Sequence, residues 1–140
     1  MDSNELKEII FNRLNADTDL KAFIEDRLYF VSNPSDTLVY PYIVFKFVGN
    51  SLDRDSGAKY ESPIVSFVLY DDSKSTLRIS HIADCLDKNF DECEKELTAE
   101  SFEIISVDRI AGKDMIIKSD LDNWMLAIDY CIQIQIQIGV

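Results

Sequence analysis

The end of the chain carries the clearest pattern of apolar and polar positions. Trp124, Leu126, Ile128, Tyr130, Ile132, Ile134, Ile136 and Ile138 alternate with Met125, Ala127, Asp129, Cys131, Gln133, Gln135 and Gln137. A period of two predicts a strand with one face in a core and one polar face. The run is far longer than an ordinary strand of ~5–6 residues. Its Gln/Ile end has no charge and no proline, so an unpaired edge there would recruit another strand. The segment is therefore either central in its sheet or paired through an overhang with another subunit.

Helical spacing governs the start. Leu6, Ile9, Ile10 and Leu14 recur on one side, opposite Glu8, Asn12 and Arg13. Asp2 or Ser3 supplies a cap, and Glu5 stands at capping-box distance from Asp2. Asp17 or Thr18 opens a second, short helix whose apolar face is Leu20, Phe23 and Ile24. A short extended piece, Leu28 to Val31, leads to the turn residues Asn33-Pro34-Ser35-Asp36. Tyr40 to Val48 then reads as a strand, with Pro41 at its start or on an edge because it has no N–H to donate. Gly49 to Ser62 is a polar loop, or a hairpin with a loose tip. Pro63 to Tyr70 is the next strand, paired antiparallel with the previous one.

A third helix is predicted from about Lys74 to Asn89 or beyond, with Ile79, Ile82, Ala83, Leu86 and Phe90 as its apolar stripe. Its exposed face is expected to carry Arg78, Asp84, Asp87, Lys88 and Asp91. Phe102 to Ile110 is a strand, and Ala111 to Asn123 a second long loop holding the apolar triplet Met115-Ile116-Ile117. These elements predict one α+β domain over residues 1–140. It has two layers: a mostly antiparallel sheet of about four or five strands, with the main helix on one face and a short N-terminal helix pair.

Composition narrows the function. The chain has 140 residues, 46% hydrophobic, with four glycines and three prolines, which is globular composition. No apolar run approaches the ~18 residues of a membrane span. The opening MDSNELKEII lacks the basic start and apolar stretch of a signal peptide, which predicts folding in a cytoplasm. Cys85, Cys93 and Cys131 are odd in number and form no CxxC, so three reduced thiols are expected. Net charge is −12. Both halves are acidic: seven basic against eleven acidic residues up to Tyr70, and seven against fifteen after it. Such a surface repels nucleic acid phosphate, which opposes DNA gripping but suits a wall that DNA slides past.

Candidate chemistry is sparse. There is no GxSxG, HExxH, GxGxxG or phosphate-cradling glycine loop. His81, the only histidine, lies within the third helix and reads as an ordinary helix residue. Asp53-Arg54-Asp55-Ser56-Gly57 has its glycine one position early for a calcium loop and Ile64 where that loop needs Glu. Asp120 and Asp122 lack the rest of such a loop. Asp71-Asp72 is better placed to cap the third helix than to hold a cation. No enzyme activity, metal or cofactor is expected.

The order of segments resembles the tail completion, or tail terminator, proteins of long-tailed bacteriophages and prophages. The likeness is carried by the N-terminal helix pair leading to Arg27-Leu28-Tyr29, and by the strand start Tyr40-Pro41-Tyr42-Ile43-Val44-Phe45. It continues in Ser62 to Tyr70 with a helix directly after, and in Asp114 through Asp120-Leu121-Asp122-Asn123-Trp124 ahead of an alternating strand. The acidic second half and the Ile/Gln tail depart from the pattern. The resemblance implies a structural virion protein at the head–tail junction, assembled in the host cytoplasm. Such a protein forms a homo-oligomeric ring, typically a hexamer, on the last ring of the tail tube and stops polymerisation. Its implied partners are itself, the major tail tube protein and the head–tail connector, with DNA passing through and no membrane involved. A connector or minor tail protein of the same architecture, or a small adaptor domain, is the alternative. Ile132, Gln133, Ile134, Gln135 and Ile136 are the expected subunit contacts by strand addition, with Met115, Ile116 and Ile117 as a docking element. Asp53, Asp55, Asp114, Asp120 and Asp122 are the expected channel-facing acids.

Overall fold

A computed structural model describes residues 1–31, 39–55, 57–112, 115–119 and 122–136. The expected turn at 33–36 and the strand end at Gln137 and Ile138 lie outside these residues.

Helix α1 (Ser3–Asn15) starts where the Asp2 carboxylate accepts the N–H groups of Asn4 and Glu5. Glu5 does not close a capping box. Its carboxylate instead accepts the N–H groups of Glu100 (3.0 Å) and Ser101 (3.2 Å), pinning the helix to the segment before the third long strand. Asp17 caps α2 (Thr18–Ile24) through the N–H groups of Asp19 and Leu20. The Asp17 carboxylate also accepts from Asn89, whose own carbonyl groups accept from Arg13. Polar side chains thus join α1, α2 and the third helix where their apolar faces meet.

Strand β1 (Leu28–Phe30) pairs parallel with β2 (Tyr42–Gly49), which begins directly after Pro41. β2 pairs antiparallel with β5 (Ile64–Asp71), as the simple hairpin requires. The intervening residues form the hairpin of the two sequence alternatives: β3 (Leu52–Asp55) pairs with β4 (Ala58–Glu61). Gly57 at its tip has φ +85°, a left-handed conformation that glycine adopts without steric penalty. β2–β3 and β4–β5 therefore form one long bent hairpin. Asn50 closes the bend, donating to Glu61 (3.0 Å) and accepting from the Ser62 N–H (3.1 Å). The Met1 ammonium lies 2.8 Å from Glu61.

Helix α3 (Leu77–Phe90) starts three residues later than the sequence predicts, because Asp71 and Asp72 do not cap it. Both carboxylates pair with Arg78 in the first turn of the helix instead. Beyond a 3-10 turn at Glu94–Glu96 come β6 (Phe102–Gly112), β7 (Ile117–Lys118) and β8 (Trp124–Ile136).

The fold is α+β, and among the described residues the sheet has eight strands rather than four or five. The excess is in short ladders: β1, β3, β4 and β7 have two to four residues each. The main order is β1-β2-β5-β8-β6, with β4 and β7 completing the two edges of β8. Helices cover one face. Ile79, Ile82, Ala83, Leu86 and Phe90 of α3 and Leu6, Ile10 and Leu14 of α1 bury against Ile43, Phe45, Val65, Phe67, Leu126, Ile128 and Tyr130. Phe67, Phe90 and Tyr130 pack edge to face with centroids 5.0–5.8 Å apart. Each such side chain contributes roughly 1.5–3 kcal/mol on burial.

Candidate functional site

β8 is the centre of the sheet, and that decides the role of the alternating segment. One edge pairs with β5 from Trp124 to Cys131 and with β4 from Ile134 to Ile136. Between them the Ile132 N–H reaches the Pro63 carbonyl at 2.9 Å. The other edge pairs with β7 and then β6. Over the described residues no bare edge is left for a sister strand. Ile132 and Ile134 are fully buried under the helices, and Ile136 packs against the same core. The expectation that these isoleucines meet another subunit is therefore corrected: this chain's own core takes them. Gln133 is exposed and Gln135 half-buried on the opposite face.

The apolar triplet divides by position. Met115 is 77% exposed and Ile117 45% exposed in β7, whereas Ile116 tucks against the core. Among the expected channel acids, Asp53 is exposed on β3 and Asp122 is exposed before β8, paired with Lys118 at 3.0 Å. The backbone of Asp55 belongs to β3; its side chain, and all of Asp114 and Asp120, lie outside the described residues. Asp53 pairs across to Tyr60, which pairs with Gln135, so Asp53 and Asp122 stand at opposite ends of β8. At ~3.3 Å per strand residue they are roughly 40 Å apart.

Two carboxylates inside the fold, Asp71 and Asp87, are held by neighbouring side chains. Asp71 is fully buried and held by Arg78 Nε at 2.8 Å. Asp87, expected on the exposed face of α3, is half-buried and accepts from Tyr130 and Arg109. Burial raises all three thiols, Cys93 to about 11, so none is a ready nucleophile. His81 is exposed. A shallow hollow of about 420 Å³ beside α1 contains Arg13, whose guanidinium is taken up by Asn89 and Glu96. Among the described residues no group of three or more His, Cys, Asp or Glu side chains is placed to hold a metal ion. None of the described helices is long and apolar enough to cross a membrane.

The outer features lie at the sheet margins. β6 is a long edge strand, but the middle of its outer edge is occupied. The Val107 carbonyl accepts from Glu92 N–H at 2.8 Å, and the Arg109 N–H donates to Asp91 at 3.0 Å. The opposite margin, from Lys46 through Arg54, has no described strand beyond it, because β1 reaches only to Phe45. Exposed apolar residues stand at both: Val48 and Leu52 at one, Ile105, Ile110 and Ile117 at the other. Sequence reading places Val48 and Ile105 as ordinary strand residues. The only local signal for Ile105 is the adjacent pair Ile104-Ile105, which breaks the alternation.

No protein-family profile matches the chain, and no curated protein matches it. Among solved structures 22 chains match. One belongs to the virion of a native gene transfer agent (GTA) particle. It superposes with a TM-score of 0.79 at 12% identity, over 95% of this chain and 96% of that one.

Proposed function

We propose that the protein is a structural component of a phage-like particle, which caps the growing tail tube as a ring, stops its polymerisation and forms part of the head–tail junction. The observation that carries this reading is the likeness in fold to a chain of a gene transfer agent virion over nearly the whole of both chains. The order of sequence segments, which resembles tail terminators, supports the finer role. The architecture suits it: Asp71 and Asp87 inside the fold are held by Arg78, Tyr130 and Arg109, and exposed apolar residues stand at both margins of the sheet, Val48 and Leu52 at one and Ile105, Ile110 and Ile117 at the other. Unlike margins are what a head-to-tail contact needs, and such contacts form a ring when the rotation from copy to copy closes. In this reading the partners are further copies, the tail tube protein and the connector. The acidic surface lets DNA pass without gripping it.

Deleting the gene from the intact particle tests the role. Overlong tails, or tails without heads, are expected in electron micrographs. Particles with tails of normal length joined to heads would defeat the reading.

A further inference from the structure

Three bulges interrupt the described sheet, and each leaves one branched apolar residue without a partner. Pairing of β2 with β5 passes from Phe47–Val65 to Gly49–Ile64 and omits Val48. Pairing of β6 with β8 passes from Ile104–Ile134 to Ser106–Gln133, omitting Ile105, and from Arg109–Tyr130 to Ala111–Asp129, omitting Ile110. All three side chains are exposed, at 49%, 38% and 50%. A bulge re-aims its extra residue out of the regular ladder. Here it does so to Val and Ile, where a solvent-facing edge would favour charge or proline.

The three are not scattered. Val48 lies on the part of β2 that β1 does not reach, and Leu52 (62% exposed) continues that margin along β3. Ile105 and Ile110 lie on β6 across the sheet, and Ile117 continues their margin along β7. Charge divides the same way. Exposed Lys46 and Arg54 flank the first margin, with Asp53 between them and Asp55 ending β3; exposed Glu103 and Asp108 flank the second, where exposed Lys118 is already paired with Asp122 at 3.0 Å. At a net charge of −12 two copies repel at long range. Setting unlike margins together brings bases to acids, whereas joining two β6 margins would set acid against acid.

We propose that a second copy of this chain docks here head to tail, the β2–β3 margin of one copy against the β6–β7 margin of the next. This rests on the ring reading above and specifies its joint. The joint is a side-chain contact and not a continued sheet, because Asp91 and Glu92 already occupy the middle of the β6 edge.

Cross-linking tests it. Protein carrying Val48→Cys and protein carrying Ile110→Cys, mixed at high concentration and treated with a flexible bismaleimide, should yield a covalent dimer. Each variant alone should yield no more than wild type, which controls for the native cysteines. A chain carrying both substitutions should give a ladder of multimers. Val48→Cys mixed with Leu77→Cys, an exposed position on α3, should give none. Lys46→Glu with Arg54→Glu should cut the yield about tenfold, and Glu103→Lys with Asp108→Lys on the other partner should restore it. Absence of the Val48–Ile110 product overturns the proposal. If wild type forms rings in micrographs without that product, the joint is elsewhere and the ring reading stands. If neither rings nor product appear, the proposal falls, and the gene deletion decides the ring reading separately.

Discussion

The hydroxyl of Tyr130 donates to the carboxylate of Asp87 at 2.7 Å, tying the central strand to the main helix. Tyr130 is fully buried, and Asp87 also takes Arg109 from β6 at 3.0 Å. Burial foremost, then the bond to Asp87, pushes the phenol far above its ordinary value. Tyr130→Phe removes one hydrogen bond but leaves Asp87 with its arginine. It should cost about 1–2 kcal/mol in urea unfolding. Asp87→Ala strands both donors and should cost more, about 2–3 kcal/mol. Equal effects of the two would mean that Arg109 contributes nothing.

The isoleucines of β8 separate core from surface. Ile134→Ala should destabilise by about 3 kcal/mol, since it opens a cavity beneath the helices. Gln133→Ala, one residue away on the exposed face, should change stability by less than ~0.5 kcal/mol. Similar losses at both positions would contradict the placement of the strand.

Asp71 is buried with its charge met by Arg78, and its second oxygen has no hydrogen-bond partner among the described residues. Arg78→Met leaves that carboxylate uncompensated. A fully buried pair loses ~3–5 kcal/mol when one partner goes, and the partial exposure of Arg78 places the loss near the lower end, about 3 kcal/mol. Asp71→Asn with Arg78→Met should recover part of it, since no charge is then buried. Failure of the double variant to recover would show that the arginine acts through packing.

Glu61 predicts the acid limb of stability. The Met1 ammonium, helped by Asn50 and opposed by burial, holds its carboxyl below the ordinary range. Its stabilisation is therefore present above the ordinary Glu value near 4.3 and is lost as pH falls through the lower folded value. The melting temperature of Glu61→Gln should fall less steeply than that of wild type as pH drops below about 4. Parallel curves would remove Glu61 from the account.

Exposed Asp53 and Asp122 test the channel reading. Converting both to Lys places positive charge at the two ends of β8 and should slow DNA passage, lowering infectious titre per assembled particle counted in micrographs. An unchanged titre would place these acids away from the path of DNA.

Much of the fold is legible in the sequence because period and capping are local properties. The stripe of α3, the helices capped by Asp2 and Asp17, the strand beginning after Pro41 and the two-faced ribbon of β8 all follow from neighbours within a few residues. Misplaced features depend on distant partners. Asp71 reads as a helix cap because Ser73 and the helix follow it; Arg78, reaching back from α3, takes the carboxylate instead. Glu5 stands at capping-box spacing, yet Glu100 and Ser101 claim it from across the chain.

The sequence by itself determined that Ile132, Ile134 and Ile136 share a side, since alternation follows from the pleat. Only the tertiary structure decided that this side meets the chain's own helices, because pairing on both edges of β8 is a matter of which strands arrive beside it. The exposed margins depend on tertiary structure in the same way. A bulge is a mismatch between two strands, so Val48, Ile105 and Ile110 become outward-facing residues only once their partners' registers are set.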